Sequence, residues 1–176
     1  GRLAMRLAIV AEALFFAGLV ASAWQIRRVA TVWPPVGAPV PDRSLLIAGT
    51  TALLLSAVTV GLSVRAVARG RINTGMAWTA VTIGLGVGFL YGQWREFVHM
   101  GMWRSGSDLF APLFNILAGF HGAHVFAGLV LLVITLAHGL SGRLNAESHL
   151  WARVGAWFWW LVAAVWLVLL ATLLSF

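Results

Sequence analysis

One carboxyl and a row of imidazoles are the side chains of this sequence whose type and placement offer chemistry. Glu12 stands seven residues into an apolar run that starts at Met5, between Val10-Ala11 and Ala13-Leu14-Phe15-Phe16. In that setting a carboxyl serves as a proton relay, as a contact for a lipid headgroup, or as a hydrogen bond tying two helices together. His121 and His124 are three apart and so share one face of a helix. His138, fourteen residues further, falls on nearly the same stripe. Stacked histidines of this kind ligate b-type haems, provided that a second helix carries a matching pair. His99 and His149 stand singly, which leaves that scheme without its other half. A copper or zinc ion on His121 and His124 lacks a third ligand. The sequence has no Cys, hence no disulfide, thiolate metal site or CxxCH haem attachment. It shows no phosphate-binding glycine loop, no nucleophile beside a base and no paired carboxylates. No catalytic residue and no metal or haem of its own are expected of this chain.

The elements that hold these side chains follow from composition. The chain has 176 residues, of which 61% are hydrophobic and 10% charged. Soluble domains run near 45–50% apolar and 25% charged, so this chain cannot cover a water-facing surface and belongs in a bilayer. A bilayer core takes about 20 apolar residues to cross. Five stretches qualify, at about residues 5–24, 45–64, 76–97, 109–138 and 154–174, in one domain over residues 1–176. The first reads as a span rather than a cleavable leader. Backbone polar groups in lipid must be satisfied within the segment, which makes the spans helices. Barrel strands are excluded, being about ten residues of alternating polarity. The fold class is therefore all-α, a polytopic transmembrane bundle of about five helices. Ser107 and Asp108 read as the amino-terminal cap of the fourth helix, and Glu96 beside Arg95 as an interface pair.

All twelve basic residues are Arg, and the formal net charge is +7. The arginines sit singly or in small loop clusters, such as Arg27-Arg28 and Arg65/Arg69/Arg71, where they set topology and meet lipid headgroups rather than nucleic acid. Arg2, Arg6, Arg65, Arg69, Arg71, Arg143 and Arg153 fall on one side of a five-span chain. Arg27, Arg28, Arg43, Arg95 and Arg104 fall on the other. The excess places the amino terminus on the cytoplasmic side. Gly84, Gly86 and Gly88 in the third span, and Gly119, Gly122 and Gly128 in the fourth, permit close helix packing.

Several stretches together resemble a known family. Gly106-Ser107 through Phe110, followed by Ala118-Gly119-Phe120-His121-Gly122-Ala123-His124-Val125 and Gly128, is similar to the GS-x-FF…TGFHG-x-HV-x-x-G signature of subunit III of haem–copper oxidases. Ala11-Glu12-Ala13-Leu14-Phe15-Phe16-Ala17-Gly18 resembles the SE-x-x-FF-x-G stretch of that subunit's third helix. Trp33-Pro34-Pro35 and Ser56-Ala57-Val58-Thr59-Val60 resemble the loop and helix that follow. Trp157-Phe158-Trp159-Trp160 through Val165-Trp166 resembles the WYWHFVD-x-VW of the last helix.

The resemblance implies the five carboxyl-terminal helices of a seven-helix subunit, a short form known in bacteria. It implies an accessory subunit without redox centres, in a proton-pumping cytochrome c or quinol oxidase of an aerobic respiratory chain. Such a subunit packs on subunit I, which holds the haems and copper, binds phospholipid and sustains proton uptake and turnover in the bacterial inner membrane. By position, the lipid or helix contacts carry over to Glu12, His124 and His149, with His121 beside them in the same motif. A subunit III-like protein associated with nitric oxide reductase shares most of these motifs. From other classes, a haem-binding membrane cytochrome and a small transporter stay open on the residues alone. Trp160 stands where the family has His, Ala163 where it has Asp and Arg153 where Glu is common. The last helix is accordingly expected to have lost its polar contacts.

Overall fold

The computed structural model describes residues 2–30, 32–33, 41–99, 110–144 and 150–175. They form α1 (Arg2–Val29), α2 (Arg43–Ala68), α3 (Ile72–His99), α4 (Phe110–Leu140) and α5 (Leu150–Leu174). All five are long and apolar enough to cross a membrane. The shortest, α5, has 25 residues and the longest, α4, has 31. At 1.5 Å per residue these span about 37 and about 46 Å, more than the roughly 30 Å hydrocarbon core. The surplus is taken up by tilt or by ends that reach the headgroups.

Local chemistry sets the helix ends. Asp42 is the amino-terminal cap of α2, its carboxylate accepting from the Ser44 N–H at 2.8 Å and the Ser44 hydroxyl at 2.6 Å. Those donors hold the Asp42 carboxyl below its ordinary range. At the other end of α2, Gly70 takes φ +75°, a conformation that costs side-chain-bearing residues dearly. The turn lets the N–H of Arg71 reach the Ala66 carbonyl at 2.9 Å, which satisfies a carbonyl the helix end would otherwise leave open. Gly142 closes α4 in the same way. The expected cap at Ser107 and Asp108 lies outside the described residues.

Helices α2, α3, α4 and α5 form a closed ring, each against the next, with α5 returning to α2. Helix α1 lies outside that ring, mainly against α5 and touching α4 at few points. Lipid tails are as apolar as leucine, so packing and hydrogen bonds hold the ring together. Hydroxyls join α2 to α3: Thr59 meets Thr82 at 2.8 Å, Ser63 meets Thr79 at 2.7 Å, and Ser63 donates to the Gly75 carbonyl at 2.9 Å. At the ring's centre the indole of Trp159 is fully buried. A Cβ at Gly86 would sit 2.6 Å from that indole and one at Gly128 2.8 Å from it. Only hydrogen at these two positions admits the ring.

The last helix has not lost its polar contacts. Three indole N–H groups of α5 reach α2: Trp159 to the Ser56 hydroxyl at 2.8 Å, Trp160 to the Ala57 carbonyl at 2.9 Å and Trp166 to the Thr50 hydroxyl at 2.9 Å. Trp160, the residue that departs from the family pattern, supplies one of them. A Cβ on Gly61 would stand 3.4 Å from its ring, so the small residue on α2 leaves the approach open.

Candidate functional site

Helix α1 meets α4 through the two side chains expected to do chemistry. Glu12 Oε2 lies 2.8 Å from His124 Nε2. The other ring nitrogen of His124, Nδ1, lies 2.6 Å from the Phe120 carbonyl one turn earlier. That second contact settles the proton count. A carbonyl oxygen can only accept, so Nδ1 carries a hydrogen. The Glu12–His124 contact then contains one further proton, in one of two places. Either the imidazole is doubly protonated and donates to a carboxylate, or a carboxylic acid donates to a neutral imidazole. Both forms have zero net charge. A lone ion at mid-membrane costs about 2.5–3.5 kcal/mol on insertion scales, and pairing removes the net charge.

Aromatic rings surround the pair. Phe16 meets the His124 ring edge-on at 4.9 Å, while Phe15 and Phe158 stack on it at 6.1 and 6.4 Å. Shielding is incomplete: the His124 side chain is 18% exposed and that of Glu12 35%. The pair thus opens on the outside of the bundle, along the α1–α4 seam, toward whatever lies there.

His121 is not part of this site. Three residues earlier on α4, it is fully buried in the ring. Its Nε2–H donates to the Val162 carbonyl of α5 at 3.2 Å, and its ring packs between Phe89 and Trp166 at 5.5 and 5.0 Å. Its Nδ1 is a buried acceptor without a hydrogen-bond partner among the described residues, as is Oε1 of Gln93, an α3 side chain that faces Gly122 of α4. The single histidine stripe expected from the spacing is divided. Residues three apart differ by about 60° around a helix, enough to put His121 between α3 and α5 and His124 at the seam with α1. His138 bonds through Nδ1 to the Ile134 carbonyl at 2.9 Å and lies 5.7 Å from the Trp151 ring. His149 lies outside the described residues.

His121 and His124 do not fit axial haem ligation. Both nitrogens of His124 are engaged, and His121 is wedged between two aromatic rings with its Nε2 committed. Among the described residues, no three His, Asp or Glu side chains gather in a way that could hold a metal ion.

Glu96 does not pair with Arg95. Adjacent residues on a helix point about 100° apart. Glu96 is buried, 6% exposed, and accepts the Asp42 backbone N–H at 3.2 Å through Oε1 and 3.3 Å through Oε2. It ties the start of α2 to the end of α3. Arg95 turns outward toward the Tyr91 hydroxyl. Nothing in the local sequence separated these two roles, since both residues stand at the end of a span. The indole contacts of α5 were likewise missed; the fit of Trp159 with Gly86 and Gly128 was visible only as small and large residues in separate helices.

Comparison with known proteins bears on the same stretches. The family model for cytochrome c oxidase subunit III matches residues 2–176. The cytochrome c oxidase subunit 3 of Synechocystis sp. is 35% identical, covering 92% of this chain and 69% of its own length. That of Thermostichus vulcanus is 28% identical over 94% of this chain and 82% of its own. The mouse protein of the same name, from Mus musculus, is 30% identical over 96% of this chain and 66% of its own. With five apolar helices in hand and a match that extends from residue 2 to residue 176, the chain belongs to the cytochrome c oxidase subunit III family.

Proposed function

We propose that this chain is the accessory, non-redox subunit III of a proton-pumping haem–copper oxidase, seated on subunit I and holding phospholipid along the α1–α4 seam. The family makes it an integral membrane protein and a subunit of an oxidase complex. The arginine excess on one side supports a cytoplasmic amino terminus, and the resemblance to the short five-helix bacterial form supports the bacterial inner membrane. The observation that carries the finer reading is the one-proton, zero-charge pair of Glu12 and His124, partly exposed at the seam. A packing tie alone would be expected to close over its polar atoms. A pair left partly open toward lipid offers a hydrogen-bonding partner to a headgroup or water entering between α1 and α4. In this role it keeps the neighbouring oxidase supplied and stable in turnover rather than carrying electrons.

The partner face is supported by α3. Ala80, Gly84 and Gly88 are exposed, at intervals of four, and a Cβ on Gly84, Gly88 or Gly92 would meet nothing within 4 Å. The bundle does not use these glycines itself. Small residues spaced in this way let a helix of another subunit approach closely, and subunit I is the partner proposed for this face.

Purification of the native complex under mild detergent tests the assignment. The chain is expected to travel with a haem- and copper-bearing subunit, and with phospholipid retained in wild type and reduced in Glu12→Leu. Recovery as a stable monomer with no redox-active partner would overturn it.

A further inference from the structure

Two buried hydrogen-bond acceptors lie in one patch of the α3–α4 interface, on Gln93 of α3 and His121 of α4, which are 7% and 0% exposed. The Gln93 amide lies over the turn of α4 that carries His121. Its Nε2 donates to the Ala118 carbonyl at 3.1 Å, three residues before His121. Its Oε1 comes within 3.2 Å of where a Cβ on Gly122, the next residue, would stand. One turn away along α3, Phe89 meets the His121 ring edge-on at 5.5 Å. The contacts fix which atoms are left over. The Ala118 carbonyl only accepts, so the amide nitrogen must face it and Oε1 is the free end. The Val162 carbonyl, 3.2 Å from His121 Nε2, likewise requires a hydrogen there, which leaves Nδ1 of the neutral ring a lone pair. Both leftover atoms are without a hydrogen-bond partner among the described residues. A buried acceptor left bare is costly, and two acceptors cannot satisfy each other. Turning the Gln93 amide over would only move the conflict to the Ala118 carbonyl. A second proton on His121 would make Nδ1 a donor but would set a charge inside the ring of helices.

We infer that the α3–α4 interface binds a water molecule that donates one hydrogen to Gln93 Oε1 and the other to His121 Nδ1. Water is the smallest group with two donors, and buried waters typically serve polar groups that have no other partner. Gly122 keeps the space open, since a Cβ there would crowd the Gln93 carbonyl oxygen. That gives the second glycine of Gly119-Phe120-His121-Gly122 a role beyond helix approach. A supply of solvent is close. Glu96 stands three residues beyond Gln93, about 4.5 Å nearer the end of α3, and lines a cleft of about 490 Å³ with Asp42 and His99. The bound water ties α3 to α4 at the level where His121 already ties α4 to α5. The site lies inside the ring and does not depend on the reading of the Glu12–His124 seam.

The test uses the full chain in its native complex. A structure of that complex fine enough to show ordered waters should place one within about 2.7–3.2 Å of both atoms. Well-ordered side chains with no water between them, or another donor seated on Nδ1, would overturn the assignment. Solid-state NMR of the complex in bilayers, with nitrogen-15 histidine, supplies a second arm. His121 is expected to be a neutral ring with Nδ1 unprotonated, and magnetisation should pass to it from water. In Gln93→Leu, which removes the carbonyl and fills its space with an apolar group, that transfer should fall several-fold. A doubly protonated His121 in wild type would show that a proton, not a water, resolves the conflict, and equal transfer in wild type and Gln93→Leu would remove Gln93 from the site. Because Gln93→Leu can disturb assembly, the two wild-type measurements decide the proposal without it.

Discussion

Replacing Glu12 separates the roles that a carboxyl can play at the α1–α4 seam. In Glu12→Gln the amide NH₂ donates to His124 Nε2, while Nδ1–H remains on the Phe120 carbonyl. The bond survives with a neutral imidazole, and only the ionisable group is gone. Glu12→Leu instead leaves Nε2 without a partner beside lipid. Intramembrane hydrogen bonds contribute about 0.6 kcal/mol on average and about 1–2 kcal/mol in model peptides, which shifts the population of an opened seam by roughly 3- to 30-fold. Because α1 touches α4 at few other points, little else compensates. The assay is oxidase activity under continuous turnover, recorded as an initial rate and as a half-life. Glu12→Gln should match wild type in both. Glu12→Leu should start at a normal rate and lose activity several-fold faster. A double variant, Glu12→Leu with His124→Phe, removes both polar partners and should be milder than the two single effects added together. Abolition of the initial rate by Glu12→Gln would refute this reasoning and make the residue an obligate proton carrier. Strict additivity in the double variant would refute the pairing.

Three further predictions concern the frame around the site. Gly86→Ala puts a methyl 2.6 Å from Trp159 and 2.9 Å from Leu129, so the variant should be destabilised by about 1–3 kcal/mol, as for overpacked cores; thermal unfolding in detergent measures this, and an unchanged midpoint would contradict the packing of Trp159. Gly84→Leu with Gly88→Leu projects into open space, so the isolated chain should keep its thermal midpoint while its recovery with the oxidase falls at least several-fold; normal assembly would remove α3 from the proposed partner face. The lowered Asp42 pKa, caused first by the Ser44 side-chain hydrogen bond, means that stability from this cap is present above the unfolded-state pKa and is lost as pH falls through the lower folded value. Unfolding below about pH 4 should therefore be less pH-dependent in Asp42→Asn than in wild type, and identical acid profiles would show that the cap contributes nothing.

The sequence by itself determined that the chain lives in a membrane, that it crosses as five helices and that Glu12 needs a partner. Each of these rests on composition, run length or the cost of a polar group in lipid, and those are properties of a segment alone. The motif around Phe120 to Val125 also pointed to the family before any contact was known. Rotation about each helix axis was decided only by tertiary structure. In a water-soluble helix the polar face marks the outside, but here both the lipid side and the core side are apolar, so the period carries little direction. Phe126 and Val130 are exposed while Val125 and Leu129 are buried, a difference that hydrophobicity cannot report. For this reason His121 and His124 read as one stripe and stand in two places, one in the ring and one at the seam. The same lack of direction concealed that Glu96 turns inward to the Asp42 N–H while Arg95 turns out. The indole links from α5 to α2 depend on where Ser56, Ala57 and Thr50 come to lie more than a hundred residues away. Such pairings arise when packed surfaces select one rotation of each helix, and that choice exists only in the assembled bundle.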